Sequence, residues 1–239
     1  MKITFLGTSH GVPERFRKCS CTMIQVADRV YFIDMGCMAM DLLIDRGIAP
    51  RDTKAIFITH VHGDHTAGLL DFLDLASWYF KDCDPTVFLP KMETVEPMRQ
   101  LLSMNDAPLR DEISFSGVKE GTLYDDGFLK VTAFPTLHCK PSFAYLVEAE
   151  GKRVFFTGDL KKPGVDFPVS VLEAPLDAVI CEAAHFPVTE YIPVFENRSV
   201  GSVYVNHCNP IRMVDFQQVK DRLAPVPVCA VVDDQEIFL

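Results

Sequence analysis

Apolar residues come along this chain in short runs, and several of those runs end in a histidine or an aspartate. Residues 2–6, 22–27 and 29–34 alternate as strands do, the last two around a tight turn. Residues 37–46 carry helical spacing at Met38, Leu42 and Leu43, with Gly47 placed to cap the end. The unbroken apolar run 55–58 predicts a buried strand, and the stretch beginning Thr66-Ala-Gly-Leu-Leu predicts a helix to about Tyr79. Further on come a strand at 86–89, a helix at 93–104 and a strand at 128–134. Residues 143–149 and 153–156 pair as a hairpin across Glu150-Gly151. Strands at 178–181 and 202–205, a helix at 213–223, and strands at 226–232 and 236–239 complete the chain. Strands with interspersed helices, then strands again, predict an α+β molecule of two mixed sheets face to face with helices outside. No fixed-period repeat, low-complexity segment or linker interrupts the pattern, so residues 1–239 are expected to form one domain.

Composition narrows this little. Of 239 residues, 48% are hydrophobic and 23% charged, ordinary for a globular protein. No run reaches the ~18 to 20 apolar residues of a membrane span. The first residues enter a strand directly, without the apolar region of a signal peptide, so a cytoplasmic location and no membrane partner are expected. The net charge of −10 opposes attraction of a large nucleic acid. Eight cysteines lack the spacing of a secreted disulfide framework and are expected to be mostly free, small and buried. Cys19-Ser-Cys21 has no second pair and reads as structural rather than as a zinc site.

The chemistry concentrates in His60-Val-His62-Gly-Asp64-His65, immediately after the buried strand. On extended backbone His60 and His62 point the same way, and Gly63 lets the chain turn before Asp64 and His65 open the helix. Two ligand pairs therefore leave one turn in different directions, an arrangement that suits two metal ions a few ångströms apart. Burying so many imidazoles beside a carboxylate without a cation would be costly. His138, Asp159 and His207 each follow another apolar strand and extend the set to seven. Nitrogen and oxygen donors suit zinc, with manganese or iron as alternatives.

The His60–His65 motif resembles that of the metallo-β-lactamase superfamily. The resemblance implies the four-layer αβ/βα sandwich with metals at one edge between the sheets. It also implies that His60, His62 and His138 hold one metal, that Asp64, His65 and His207 hold the other, and that Asp159 bridges them. A metal-bridging hydroxide would then be the nucleophile, with Asp64 both ligand and catalytic residue. The segment from Leu137 to Glu148 departs from the lactamase and glyoxalase pattern and resembles the phosphodiesterase branch, which holds ribonuclease Z and a cyclic phosphodiesterase of phosphonate degradation. The segments Gly7–Pro13, Ile33-Asp34-Met-Gly36, Glu182-Ala-Ala-His185 and Asn206–Pro210 resemble that branch too. Ribonuclease Z carries a long arm between the third histidine and the bridging aspartate; here the interval is 21 positions, room for one hairpin. A small phosphodiester such as a cyclic nucleotide or cyclic ribose phosphate is the expected substrate, with a lactone or thioester as the alternative and a non-catalytic metal-binding protein as a third reading.

By the same resemblance His185 sits over the phosphate as acid or oxyanion donor, with Glu182 orienting it. His10 and Ser9, in the glycine loop, are candidate substrate contacts. Arg15, Arg17 and Lys18 either collect phosphate oxygens or belong to a solvated loop. Trp78-Tyr79-Phe80 reads as core, with a base-binding roof as the alternative. A homodimer is left open.

Overall fold

The computed structural model describes residues 1–12 and 14–239; Pro13, read above as part of the loop after the first strand, lies outside the described residues. Six strands build most of the first sheet: β1 (Lys2–Gly7), β2 (Cys21–Val26), β3 (Arg29–Met35), β4 (Thr53–Phe57), β5 (Thr86–Leu89) and β6 (Ser114–Gly117). The second contains β7 (Gly121–Asp125), β8 (Lys130–Pro135), β9 (Phe143–Ala149), β10 (Lys152–Phe156), β11 (Ala178–Ala183), β12 (Val203–Cys208) and β13 (Val228–Ala230). The last strand, β14 (Gln235–Phe238), returns to the first sheet, giving two seven-stranded sheets ordered β14-β1-β2-β3-β4-β5-β6 and β7-β8-β9-β10-β11-β12-β13.

Both sheets have the same internal plan. Pairs β14-β1, β1-β2 and β2-β3 are antiparallel, and β3-β4, β4-β5 and β5-β6 parallel. The second sheet repeats this, antiparallel from β7 to β10 and parallel from β10 to β13. The repeat is one of topology, without a matching sequence period.

Alternation along the strands decides the layers. Ile3, Phe5, Ile24, Tyr31, Ala55 and Phe57 point between the sheets, where they meet Tyr145, Val147, Val154, Phe156, Ala178 and Ile180. Their neighbours Met23, Phe32 and Ile56 face outward under helices α1 (Ala39–Asp45) and α2 (Gly63–Trp78), with α3 (Val95–Met104) beside them. On the other side Phe155, Val179, Cys181 and Val205 lie under α4 (Pro163–Asp166), α5 (Ile192–Phe195) and α6 (Phe216–Leu223). Leu69, Phe72, Leu73 and Ala76 recur at helical spacing and bury one stripe of α2. Truncating a buried phenylalanine such as Phe72 to alanine costs about 3–5 kcal/mol. This is the layered α+β sandwich expected from the sequence. Among the described residues, no helix is long and apolar enough to cross a membrane.

The differences from the sequence reading have local causes. Strands β6 and β7 are short, polar edge strands whose half-exposed residues give no apolar signal. The helix α2 begins at Gly63, so Asp64 and His65 form its first turn, as the motif implied. Pro210–Arg212 makes a separate turn, and α6 begins only at Phe216. Trp78 and Tyr79 are 51% and 64% exposed, so they are not core; Phe80 alone of that trio packs inward. All eight cysteines are free, with Cys229 exposed.

A candidate dinuclear metal centre

In both sheets the parallel strands deliver their carboxyl ends to the same edge, where an open α/β sheet binds its ligands. From β4 the chain continues through Thr59 and His60 to His62, which is extended (φ −66°, ψ 150°) just before α2. Asp64 then lies in the first helical turn, where the helix dipole favours a carboxylate.

Asp34, at the end of β3, organises this turn from behind. Its carboxylate accepts the Thr59 backbone N–H at 2.7 Å and the Thr59 hydroxyl at 2.9–3.0 Å. It also accepts from His65 Nδ1 at 2.7 Å. The Thr59 hydroxyl spends its one proton on Asp34, so it accepts from His60 Nδ1 at 3.1 Å. Two tautomers follow: His60 and His65 each carry the proton on Nδ1 and present the Nε2 lone pair to the site. Tyr145, from the second sheet, donates to the Ile58 carbonyl at 2.6 Å and ties the strand end down.

The second sheet contributes one side chain at a time. His138 stands on the loop after β8, folded by Thr136 Oγ1 donating to Ser142 Oγ (2.7 Å) and Ser142 Oγ donating to the Cys139 carbonyl (2.9 Å). Asp159 follows β10 through Gly158, whose φ is +54°. A Cβ on Gly158 would sit 2.9 Å from the Phe143 carbonyl oxygen and 3.0 Å from the Thr59 side chain. His207 lies inside β12 at φ +46°, beside the register shift at Glu182/Ala183, so a bulge re-aims it.

These side chains converge on buried Asp159. One carboxylate oxygen lies 3.7 Å from His60 Nε2 and 3.6 Å from both His138 Nε2 and His207 Nε2; the other lies 3.6 Å from His65 Nε2. Each distance is too long for a hydrogen bond and leaves room for an atom between. His62 Nδ1 is 3.0 Å from His60 Nε2 and 3.2 Å from His138 Nε2. One proton cannot serve both lines. A tetrahedral zinc with bonds of about 2.0–2.1 Å would set neighbouring nitrogens roughly 3.3–3.4 Å apart, close to what these three show. The second group, Asp64, His65 and His207, also closes to metal-binding distance. His65 Nε2 is buried with no hydrogen-bond partner. The donor set therefore fits two cations.

Electrostatics agree. Burial pushes His60 down to about 2, and it lowers His138 and His207 too, so burial favours their neutral form. Burial also opposes charge on His65, but Asp159 and Asp34 outweigh it and hold that imidazole well above its ordinary value. Asp159 is likewise buried, yet the surrounding histidines keep its carboxyl well below the usual range.

His185 is 39% exposed on the open side of Asp159, its Nδ1 3.7 Å from that carboxylate. Glu182, within β11 and buried, accepts from the backbone N–H groups of Leu160, Ala184 and His185 at 2.7–3.1 Å and from His185 Nδ1 at 2.8 Å. Burial and the Asp159 charge raise Glu182 to about 7, whereas the Glu182 hydrogen bond raises His185. The ion pair is the state that satisfies all four donors.

The structure thus brings together all seven residues read as ligands, with Glu182 and His185 beside them. Ser9 is fully buried. His10 is half-buried, its Nδ1 3.9 Å from Glu14. The Arg17 guanidinium is committed to Glu14, Thr8 and the Cys208 carbonyl, and Lys18 pairs with Asp233, so neither is a free phosphate collector. Cys208 is core, while Cys139 is only half-buried. Sequence reasoning quoted Asp34 without a role and passed over Thr59. The signal available was that Asp34 ends a strand, as the other site residues do.

A family model described as the anti-Pycsar protein Apyc1 matches residues 1–178. The chain belongs to that family. The match covers the first motif, His138 and Asp159 and stops before Glu182, His185 and His207. Ribonuclease Z from Geobacillus kaustophilus is 32% identical over 155 residues, covering 62% of this chain and 48% of that one. The chain therefore spans about half the length of that relative. Among solved structures, the metallo-β-lactamase fold protein YhfI from Bacillus subtilis superposes with a TM-score of 0.81 at 15% identity, covering 99% of this chain and 98% of that one. A diphosphatase from the PhnP family gives 0.71 at 16% identity, with 100% and 97% covered. The anti-Pycsar-family chain has the metallo-β-lactamase fold.

Proposed function

We propose that this protein is a dinuclear metal-dependent phosphodiesterase acting on a small phosphodiester, such as a cyclic nucleotide or cyclic ribose phosphate. The observation that carries the reading is the convergence of two donor groups on one buried carboxylate, with the Glu182–His185 pair on its open side. His60, His62 and His138 would hold one cation, Asp64, His65 and His207 the other, and Asp159 would be shared. Zinc fits the donor set, with manganese and iron as alternatives. Bound there, two cations supply Lewis acidity toward the phosphoryl oxygens and acidify water to near neutral pH.

The chain's own residues do the rest. Asp34 and Thr59 fix the tautomers of His65 and His60. Glu182 holds His185 by Nδ1, which leaves Nε2–H to donate to the leaving oxygen or a non-bridging oxygen of the phosphate. The interval between His138 and Asp159 contains a short loop and the β9–β10 hairpin, with no arm to grip a large RNA. The net charge of −10 points the same way. Relatives named as a ribonuclease and a diphosphatase support chemistry at phosphorus. Both sheets furnish donors to one centre, which supports reading residues 1–239 as one domain. Cytoplasmic location and a homodimer belong to the same reading.

One panel tests it. Protein purified without chelators should contain about two transition-metal ions per chain. It should hydrolyse bis(p-nitrophenyl) phosphate and a 2′,3′-cyclic nucleotide in preference to an acyl-homoserine lactone and a glutathione thioester. Turnover of the lactone or thioester alone would move the protein to the alternative esterase reading.

A further inference from the structure

The loop that covers the Asp64 side of the centre ends in a feature that no packing requirement explains. Gly11 lies so close to Asp64 that a Cβ would fall 2.8 Å from its carboxylate oxygen. Just beyond, Glu14 and Arg17 form an isolated antiparallel bridge, with the Arg17 N–H on the Glu14 carbonyl at 3.1 Å. Arg15 and Phe16 therefore occupy the two central positions of a tight turn. Phe16 has φ +66°, at the corner where such a turn prefers glycine or asparagine. A bulky side chain there is strained, and at 80% exposure Phe16 recovers almost nothing from packing.

The turn is nevertheless held firmly. The Arg17 guanidinium donates to Glu14 (2.6 Å), to Thr8 Oγ1 (3.1 Å) and to the Cys208 carbonyl (3.1 Å), the residue after His207. Thr8 Oγ1 donates to Asp233 at 2.7 Å, and Asp233 also accepts the Lys18 backbone N–H at 2.7 Å. Six residues thus fix an exposed aromatic tip on the loop that reaches Asp64 through Gly11 and the Cys208 carbonyl through Arg17. The Arg15 guanidinium lies 4.7 Å from the Phe16 ring centroid, a cation stacked against one face.

We propose that Phe16, backed by Arg15, is a specificity-determining residue: a platform on which the aromatic base of the substrate stacks while its phosphate occupies the centre. The role rests on the phosphodiesterase reading above. Stacking on an aromatic side chain tolerates any base, because every base presents a π-face. Glycine would make this turn at lower cost; phenylalanine adds the ring that the turn displays.

The test compares wild type with Phe16→Gly and Phe16→Trp on two substrates, 2′,3′-cyclic AMP and 2′,3′-cyclic ribose phosphate without a base. Phe16→Gly should melt no lower than wild type, since the turn favours glycine. It should raise KM for the nucleotide roughly 5- to 150-fold, the range of one lost base–aromatic stack, leave kcat near wild type, and leave the base-free substrate unchanged. Phe16→Trp should restore the nucleotide KM. Equal changes on both substrates, or none on either, overturn the proposal. So does a Phe16→Gly variant whose only change is its mass in sedimentation, which would make the tip an interface between copies. If wild type turns over neither of these nor bis(p-nitrophenyl) phosphate, the phosphodiesterase reading falls instead. Calorimetric binding of 2′,3′-cyclic AMP then decides the stacking role: wild type binding no tighter than Phe16→Gly rejects it.

Discussion

Two aspartates, at opposite ends of the sandwich, show how differently a buried carboxylate can be surrounded. Asp126, just after β7, accepts the Tyr31 hydroxyl at 2.7 Å, the Tyr124 hydroxyl at 3.1 Å and Arg29 at 3.1 Å. It also accepts the backbone N–H groups of Phe128 and Leu129 at 2.9–3.0 Å. Every donor is at hydrogen-bond distance, so the cluster is complete. Asp159 also has many neighbours, but its imidazole nitrogens stand off at 3.6–3.7 Å. One carboxylate is finished by protein alone. The other is ringed by imidazoles that stand beyond hydrogen-bond distance.

That contrast can be broken most directly at Asp159. Asp159→Ala should abolish hydrolysis, by at least ~10³-fold, and lower bound metal well below two ions per chain, because the cations lose the anion between them. Near-normal rate with full metal content would sink the shared-ligand assignment. Next in size is His185→Ala, expected to keep its metal and lose about 10²–10³ in kcat on a phosphodiester with a poor leaving group. A smaller loss with p-nitrophenolate as leaving group would mark His185 as the acid, equal losses as an oxyanion donor, and no loss would remove it from the chemistry.

Asp126→Ala should do the opposite. It strands the buried Tyr31 hydroxyl and two backbone donors, so stability should fall by about 2–3 kcal/mol, or roughly 5–10 °C in Tm, with activity at moderate temperature unchanged. The pH dependence carries a sign. Burial opposes the Asp126 charge, but the Tyr31 hydroxyl and the two backbone donors outweigh it and lower its folded value. The unfolded state therefore binds more protons near the ordinary carboxylate value. The stabilisation is present above that value and is lost as pH falls through the lowered folded one. Wild type and Asp126→Asn should converge in urea melts over that acidic window; a gap that widened there would reverse the assignment. The smallest effect belongs to Asp34→Asn, which weakens the hold on the His60 and His65 tautomers and should cost about 10–100-fold in metal affinity. Titration with a competing chelator measures it, and unchanged affinity would leave Asp34 a purely structural residue.

How much of this was legible beforehand depended on range along the chain. His60, His62, Asp64 and His65 lie on one strand-to-helix turn, so their directions follow from local backbone geometry, and the motif reads as a two-metal turn from sequence alone. The buried strands around them, run 55–58 above all, were legible for the same reason. The polar edges β6 and β7 were not, because an edge strand needs neighbours rather than its own apolar pattern. The lip residues were ambiguous too: Arg17 reads as a free cation until Thr8, Glu14 and Cys208 are found around it.

The sequence by itself determined the alternation that makes two buried sheets, the first motif, and the habit of ending strands in histidine or aspartate. Only the tertiary structure brought Asp159 within 3.6–3.7 Å of histidines from 60 to 207, set Glu182 on the Leu160 N–H, and set Asp34 beneath the first motif. Asp159 and Asp34 are each one polar residue at the end of one strand, with no partner close by in the sequence to give them meaning. Their meaning comes from the parallel halves of both sheets, whose strands deliver their carboxyl ends to the same edge, and that convergence exists only once the two sheets have packed face to face.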